Sequence, residues 1–150
     1  MEISSLDVKK LRDLTGASMM ECKRALTSAA GDLNKAQEIL KEQGFKTAEK
    51  KSARSTKAGL VEPYIHANGK VGALVEVLCE TDFVAKNPMF KELAHDLAMQ
   101  VVVVDPQSAE EFLSSPFIKN ESQSINDLVT SKIAILGENI KLGKFVRFQI

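Results

Sequence analysis

The sequence predicts an α+β protein in which a three-helix bundle precedes a core of antiparallel sheet, about three strands, packed with helices. Two observations carry that expectation. Apolar residues recur at helical spacing in three short runs before residue 45, each closed by a glycine, and beyond Gly59 the period changes to strict alternation.

The helices announce themselves by their ends. Ser4-Ser5-Leu6-Asp7 offers a capping start, and Val8, Leu11 and Leu14 follow at helical spacing before Gly16. Ser18-Met19-Met20-Glu21 is a fuller capping box, since Glu21 can reach back to the cap; Cys22, Ala25, Leu26 and Ala29 then continue one face to Gly31. Asp32 is placed to cap a third helix with the stripe Leu33, Ala36, Ile39 and Leu40, and Gly44 is expected to supply its left-handed exit. Val71, Ala73, Val75, Val77 and Cys79 form one apolar row of a strand, and Asn68-Gly69 before it signals a two-residue hairpin turn to a partner over 60–67. Pro63 cannot donate to a ladder, which puts that partner at a sheet edge. Asn87-Pro88 opens the cleanest amphipathic helix, with Phe90, Leu93, Ala94, Leu97, Ala98, Val101 and Val102 on one side and Asp105-Pro106 as its stop. A short helical piece is expected over 108–113, a last helix from Ser124, and a closing strand over 144–150.

The predicted organisation is a bundle over 1–45, a basic linker over 46–58 and an α+β core over 59–150. The linker holds five basic residues and no apolar side chain larger than alanine. Lys plus Arg and Asp plus Glu number 20 each, so no overall field recruits nucleic acid or an anionic membrane. Basic residues exceed acidic ones by four up to Lys57, and the reverse holds beyond it, in keeping with two units. No aromatic residue interrupts the basic run to stack on bases, so it reads as a solvated tether with room for a helical part, and direct nucleic-acid binding is not expected. The N-terminus lacks a basic region followed by an apolar stretch, and no run nears the roughly 18 apolar residues of a membrane span, so a cytoplasmic protein without membrane contact is expected.

Little in the sequence supports bond chemistry. The two cysteines, Cys22 and Cys79, lie in no chelating spacing and read as small apolar residues of the core or the surface; His66 and His95 stand alone, near a turn and on the polar side of a helix. No nucleophile elbow, metalloprotease helix, phosphate loop or calcium loop occurs. No catalytic residue, metal ligand or cofactor is therefore assigned. The unusual segment is Cys79-Glu80-Thr81-Asp82-Phe83-Val84-Ala85-Lys86-Asn87, which joins a buried strand to a capped helix. Read from the residues alone, Thr81 or Asp82 caps a helix and Phe83 is a core residue under the connection, with an exposed aromatic anchor as the alternative.

Two segments carry a resemblance. The run from Leu11 to Leu26, with Thr15-Gly16-Ala17-Ser18-Met19-Met20-Glu21-Cys22-Lys23 at its centre, closely resembles the first signature of the elongation factor Ts family. The run Glu76-Val77-Leu78-Cys79-Glu80-Thr81-Asp82-Phe83-Val84-Ala85-Lys86 resembles the second, and Gly137-Glu138-Asn139-Ile140 looks like a further family segment. The resemblance implies a bundle similar to a ubiquitin-associated domain and a guanine-nucleotide exchange factor for elongation factor Tu. It implies that Met19, Met20 and Lys23 contact the GTPase domain of that partner. It also implies that Thr81, Asp82, Phe83 and Val84 insert near the partner's nucleotide site and disturb its Mg²⁺. A homodimer is the form it implies for short members. A protein-binding adaptor built on the same bundle is the alternative.

Three departures from the family pattern stand out. Leu78 occupies a position where Asn is common, and Lys141-Leu142-Gly143-Lys144 follows Ile140 where a basic pair is usual. The stretch between the long helix and Ser124 is also shorter than the helical insertion relatives usually carry there.

Overall fold

The computed structural model describes residues 2–150. Three helices come first: α1 (Ser5–Thr15), α2 (Met19–Ser28) and α3 (Leu33–Lys51). Each starts on a side chain that satisfies backbone donors. Ser4 accepts from Asp7 N–H, Ser18 and Glu21 complete a reciprocal capping box, and Asp32 accepts from Asn34 and Lys35 N–H. Val8, Leu11, Cys22, Ala25, Leu26, Ala29 and Ala36 form a small core of their own. Leu14 is 66% exposed instead of joining it. Two steps of three residues rotate Leu14 about 120° away from Val8 on a helix of 3.6 residues per turn, off the covered side.

The expected end of the third helix at Gly44 does not occur: α3 runs through it to Lys51, so the first part of the basic run is helical. Gly44 is buried, and a Cβ there would lie 3.8 Å from Ala134 Cβ. The glycine serves close approach of two helices rather than a left-handed exit, and tertiary packing overrides its weak helix propensity.

The remainder is built on a three-stranded antiparallel sheet of order β1-β2-β5, from β1 (Ala58–Ile65), β2 (Val71–Cys79) and β5 (Ile140–Gln149). β1 is an edge strand, as Pro63 requires, and β5 begins earlier than the alternation over 144–150 suggested. The hairpin at Asn68-Gly69 forms as a longer loop than two residues: His66 N–H donates to Val71 C=O, Gly69 N–H donates to His66 C=O, and Gly69 takes φ +70°.

One face of the sheet is covered by α5 (Pro88–Val104) and α7 (Ile125–Leu136), with the one-turn α4 (Asp82–Ala85) and the short α6 (Ala109–Ser114) alongside. Ala73, Val75, Val77 and Cys79 from β2 meet Phe90, Leu93, Leu97 and Val101 from α5, with Phe112, Ile125 and Ile133 closing the core. Asn87 caps α5 with Pro88 at its first turn, and Ser124 and Asp127 form a capping box for α7. A small hairpin of β3 (Pro116–Phe117) and β4 (Asn120–Ser124) fills the short middle segment, which the sequence reading left unassigned. No helix among the described residues is long and apolar enough to cross a membrane.

The bundle seats on α7. Besides Gly44, a Cβ at Gly16 would stand 2.9 Å from Ile135 Cδ1, and Lys41 pairs with Asp127 at 3.3 Å. The contact at Gly44 generates a prediction. Gly44→Ala adds a methyl at ordinary van der Waals distance and removes a flexible residue from a helix interior, for a gain of about 0.5 to 1 kcal/mol. Thermal unfolding should rise by about 2 to 4 °C per kcal/mol in a chain of this size. Gly44→Leu should lower it, because overpacking costs about 1 to 3 kcal/mol. A lower melting temperature for the alanine variant would show that the α3–α7 contact is tighter than described.

Candidate functional site

The segment singled out by the sequence forms a rigid, exposed turn. β2 ends at Cys79, whose buried thiol donates to Thr81 C=O at 3.2 Å. Burial pushes that thiol's pKa up, and the nearby Glu138 carboxylate adds to the shift, so Cys79 stays a neutral core group. Thr81 adopts an extended conformation at φ −131°, ψ 153° and caps α4, its hydroxyl oxygen accepting from Val84 N–H at 3.3 Å. Of the two capping alternatives the structure takes Thr81.

Two glutamates lock this corner against the turn that leads into β5. Glu138 Oε2 accepts from both Glu80 N–H and Thr81 N–H at 3.0 Å, and its Oε1 accepts the Thr81 hydroxyl at 2.5 Å. In return Glu80 Oε1 accepts Asn139 N–H at 2.8 Å and faces the Arg54 guanidinium at 3.6 Å. Glu138 thus holds the backbone at Glu80 and Thr81, and Glu80 holds the backbone at Asn139, through charge-assisted hydrogen bonds. Glu80 and Glu138 were not singled out as site residues from the sequence. The signal was the Gly137-Glu138-Asn139-Ile140 segment, together with a second acidic residue directly before Thr81.

On this base α4 divides its residues by face. Val84 and Ala85 are buried, anchoring the turn in the main core, while Asp82 and Phe83 point outward and Phe83 is 83% exposed. The reading of Phe83 as a core residue is therefore overturned. Successive helical positions lie about 100° apart, so once Val84 and Ala85 face the core the preceding ring is directed away from it. Val84 belongs to the support of the turn rather than to its outer surface.

Met19, Met20 and Lys23 occupy the start of α2. Met19 is 43% and Met20 65% exposed, and Lys23 is exposed, so neither methionine is a core residue. The capping box beneath them is well formed, and hydrogen bonds from Ser18 hold the Glu21 carboxyl below its usual range. The structure therefore offers two outward-facing apolar points on separate elements, one flexible and thioether-rich, the other a stiff aromatic ring.

Comparison with known proteins is decisive for the family. The model of the family described as elongation factor TS matches residues 80–150, which includes the whole Glu80–Glu138 corner. Elongation factor Ts of Coprothermobacter proteolyticus is 39% identical over 195 aligned positions, covering 100% of this chain and 99% of that protein. The same factor from Thermodesulfovibrio yellowstonii is 39% identical, covering 100% and 97% respectively. The chloroplastic polyprotein of EF-Ts from Oryza sativa subsp. indica is 40% identical over 99% of this chain and 17% of its own length. An alignment of 195 positions on a chain of 150 residues leaves about 45 positions of the bacterial relative without a counterpart here. Matched end to end by these relatives and by the family model at its exposed turn, the chain belongs to the elongation factor Ts family of translation elongation factors.

Proposed function

We propose that the protein is a guanine-nucleotide exchange factor for elongation factor Tu, acting in the cytoplasm by binding and without bond chemistry of its own. The observation that carries this reading is Phe83, a large apolar ring 83% exposed on a turn whose backbone is held by two carboxylates. GTPases of this class hold nucleotide through phosphate contacts and a Mg²⁺ that neutralises the phosphate charge. A factor that binds the nucleotide-free GTPase better than the loaded one must, by linkage, be weakened by nucleotide in the same ratio. Phe83 is the apolar wedge in this scheme. Asp82, exposed beside it, competes for polar groups around the metal site, and Thr81 and Val84 hold the pair in place. Met19, Met20 and Lys23 contribute affinity by meeting the GTPase domain from the bundle.

A second copy of the chain is proposed to cover the outer face of the sheet. Val61, Ile65, Leu74, Val146 and Phe148 are all exposed on that face, too many and too close to be scattered surface residues. Glu76 and Lys144 lie among them with opposite charges, so the face is complementary to itself under a two-fold rotation. A protein-binding adaptor role would leave the Phe83 turn without a purpose.

Three measurements test these statements. Phe83→Ala should weaken stimulation of GDP release from elongation factor Tu in stopped flow by roughly 30- to 1000-fold, the usual loss of about 2 to 4 kcal/mol for a truncated aromatic anchor. Unaltered stimulation by a folded variant would end the wedge reading. Lys23→Ala should raise the concentration of factor needed for half-maximal release; an effect confined to the maximal rate would contradict its role in affinity. Phe148→Glu should convert a dimer to a monomer in sedimentation equilibrium, and a wild-type chain that sediments as a monomer at all concentrations would dismiss the second copy.

A further inference from the structure

The segment after α3 is fastened to the same loop that holds the Phe83 turn. Lys51 Nζ donates to Gly137 C=O at 2.7 Å, capping the C-terminal end of α7. Asn139, 2% exposed, donates through Nδ2 to Arg54 C=O at 2.9 Å and to Ser52 C=O at 3.4 Å. Its own backbone N–H goes to Glu80, as described above. A loop of three residues, 137–139, therefore grips the bundle's outgoing chain with one set of hydrogen bonds and the corner beneath Phe83 with another.

We infer that this loop makes the bundle and the Phe83 turn one rigid caliper, in which Lys51 and Asn139 are positioning residues that fix the spacing between the two partner-contacting points. The inference rests on the exchange-factor reading for its consequence, though not for its geometry. A basic run read from sequence as a tether would leave the bundle free to sample many positions, and each would have to be given up on binding. A clamped segment has given them up already. Presenting two contact points at a fixed separation raises the effective concentration of the second contact once the first is made. The seat of α3 on α7 sets the direction of the bundle, and the 137–139 loop ties that seat to the wedge. The carbonyls of Ser52 and Arg54 belong to exposed residues, so water can replace Asn139 at both, and cutting the clamp need not unfold the chain.

The test is the double variant Lys51→Met with Asn139→Ser in the full-length chain, with Lys51→Met alone as the milder second variant. Glu80, Glu138 and Phe83 are untouched in both. Spin labels on Thr27→Cys and Glu92→Cys report the separation of bundle and core by pulsed electron resonance: a narrow distribution is expected in the parent and a broadened one in the double variant. In GDP release the double variant should need roughly tenfold more factor for half-maximal stimulation, with a much smaller change in the maximal rate. Adding Lys23→Ala to it should then cost far less than Lys23→Ala costs the parent, since a loose bundle no longer contributes fully. A purely structural role would lower the melting temperature and leave the label distances and that non-additivity unmoved. Equally narrow distances in parent and double variant, or full additivity with Lys23→Ala, overturn the caliper. A parent protein that fails to stimulate GDP release from elongation factor Tu would defeat the exchange reading, while the distance distributions would still decide the clamp.

Discussion

The structure depends on a reciprocal exchange between two carboxylates and two backbones. Glu138 takes the amides of Glu80 and Thr81 and the Thr81 hydroxyl, and Glu80 takes the amide of Asn139. Four residues of helix cannot support themselves, because the first turn of a helix fixes several dihedrals for a single hydrogen bond. The Thr81 cap, the burial of Val84 and Ala85, and the Glu138 carboxylate do that together. Like charges brought to one corner would repel; backbone donors offset this at Glu138, and Arg54 with the Asn139 N–H offsets it at Glu80.

Beside this corner the segment between α5 and α7 closes over the core. It contributes Phe112 and Phe117, both buried. Gln100, fully buried on α5, donates to Pro116 C=O at 2.8 Å and accepts Ile118 N–H at 3.1 Å, so one amide pairs with a carbonyl and an N–H on one edge of the β3 segment. Lys119 at the hairpin tip reaches the buried Asp96 at 2.6 Å, and that hydrogen bond raises the Lys119 pKa. The hairpin is thereby pinned onto α5 by polar contacts whose partners all come from one helix. β2, which leads into the Phe83 turn, packs on that same helix, so the hairpin and the turn share one scaffold.

Much of this fold was legible because it is encoded locally. Ser18-x-x-Glu21, Asp32, Asn87-Pro88 and Ser124 name helix starts through donors that must be satisfied within one turn, and Val71 to Cys79 names a strand through a period of two. The features that escaped are those decided by neighbours far along the chain. Gly44 carries the local signature of a helix end, and only the presence of Ala134 across the interface turns it into a packing glycine. Phe83 has the character of a core residue, and its exposure follows from Val84 and Ala85 having taken the inward positions. The carboxylate exchange joins residues 58 positions apart, a separation at which no periodicity speaks.

The exposed ring has an energetic meaning that follows from this rigidity. Burying a phenylalanine side chain is worth about 1.5 to 3 kcal/mol, and an isolated chain leaves that unrealised at Phe83. A flexible loop would recover part of it by folding the ring back onto its own surface, and a partner would then have to reverse that before binding. The locked corner forbids the retreat. The apolar transfer is held in reserve for a receiving surface, without an ordering cost at the moment of contact. Under the exchange reading proposed above, the useful quantity is the difference in affinity between two partner states. On that reading a ring held in place would sharpen the difference, since it cannot adapt to a partner state that lacks room for it.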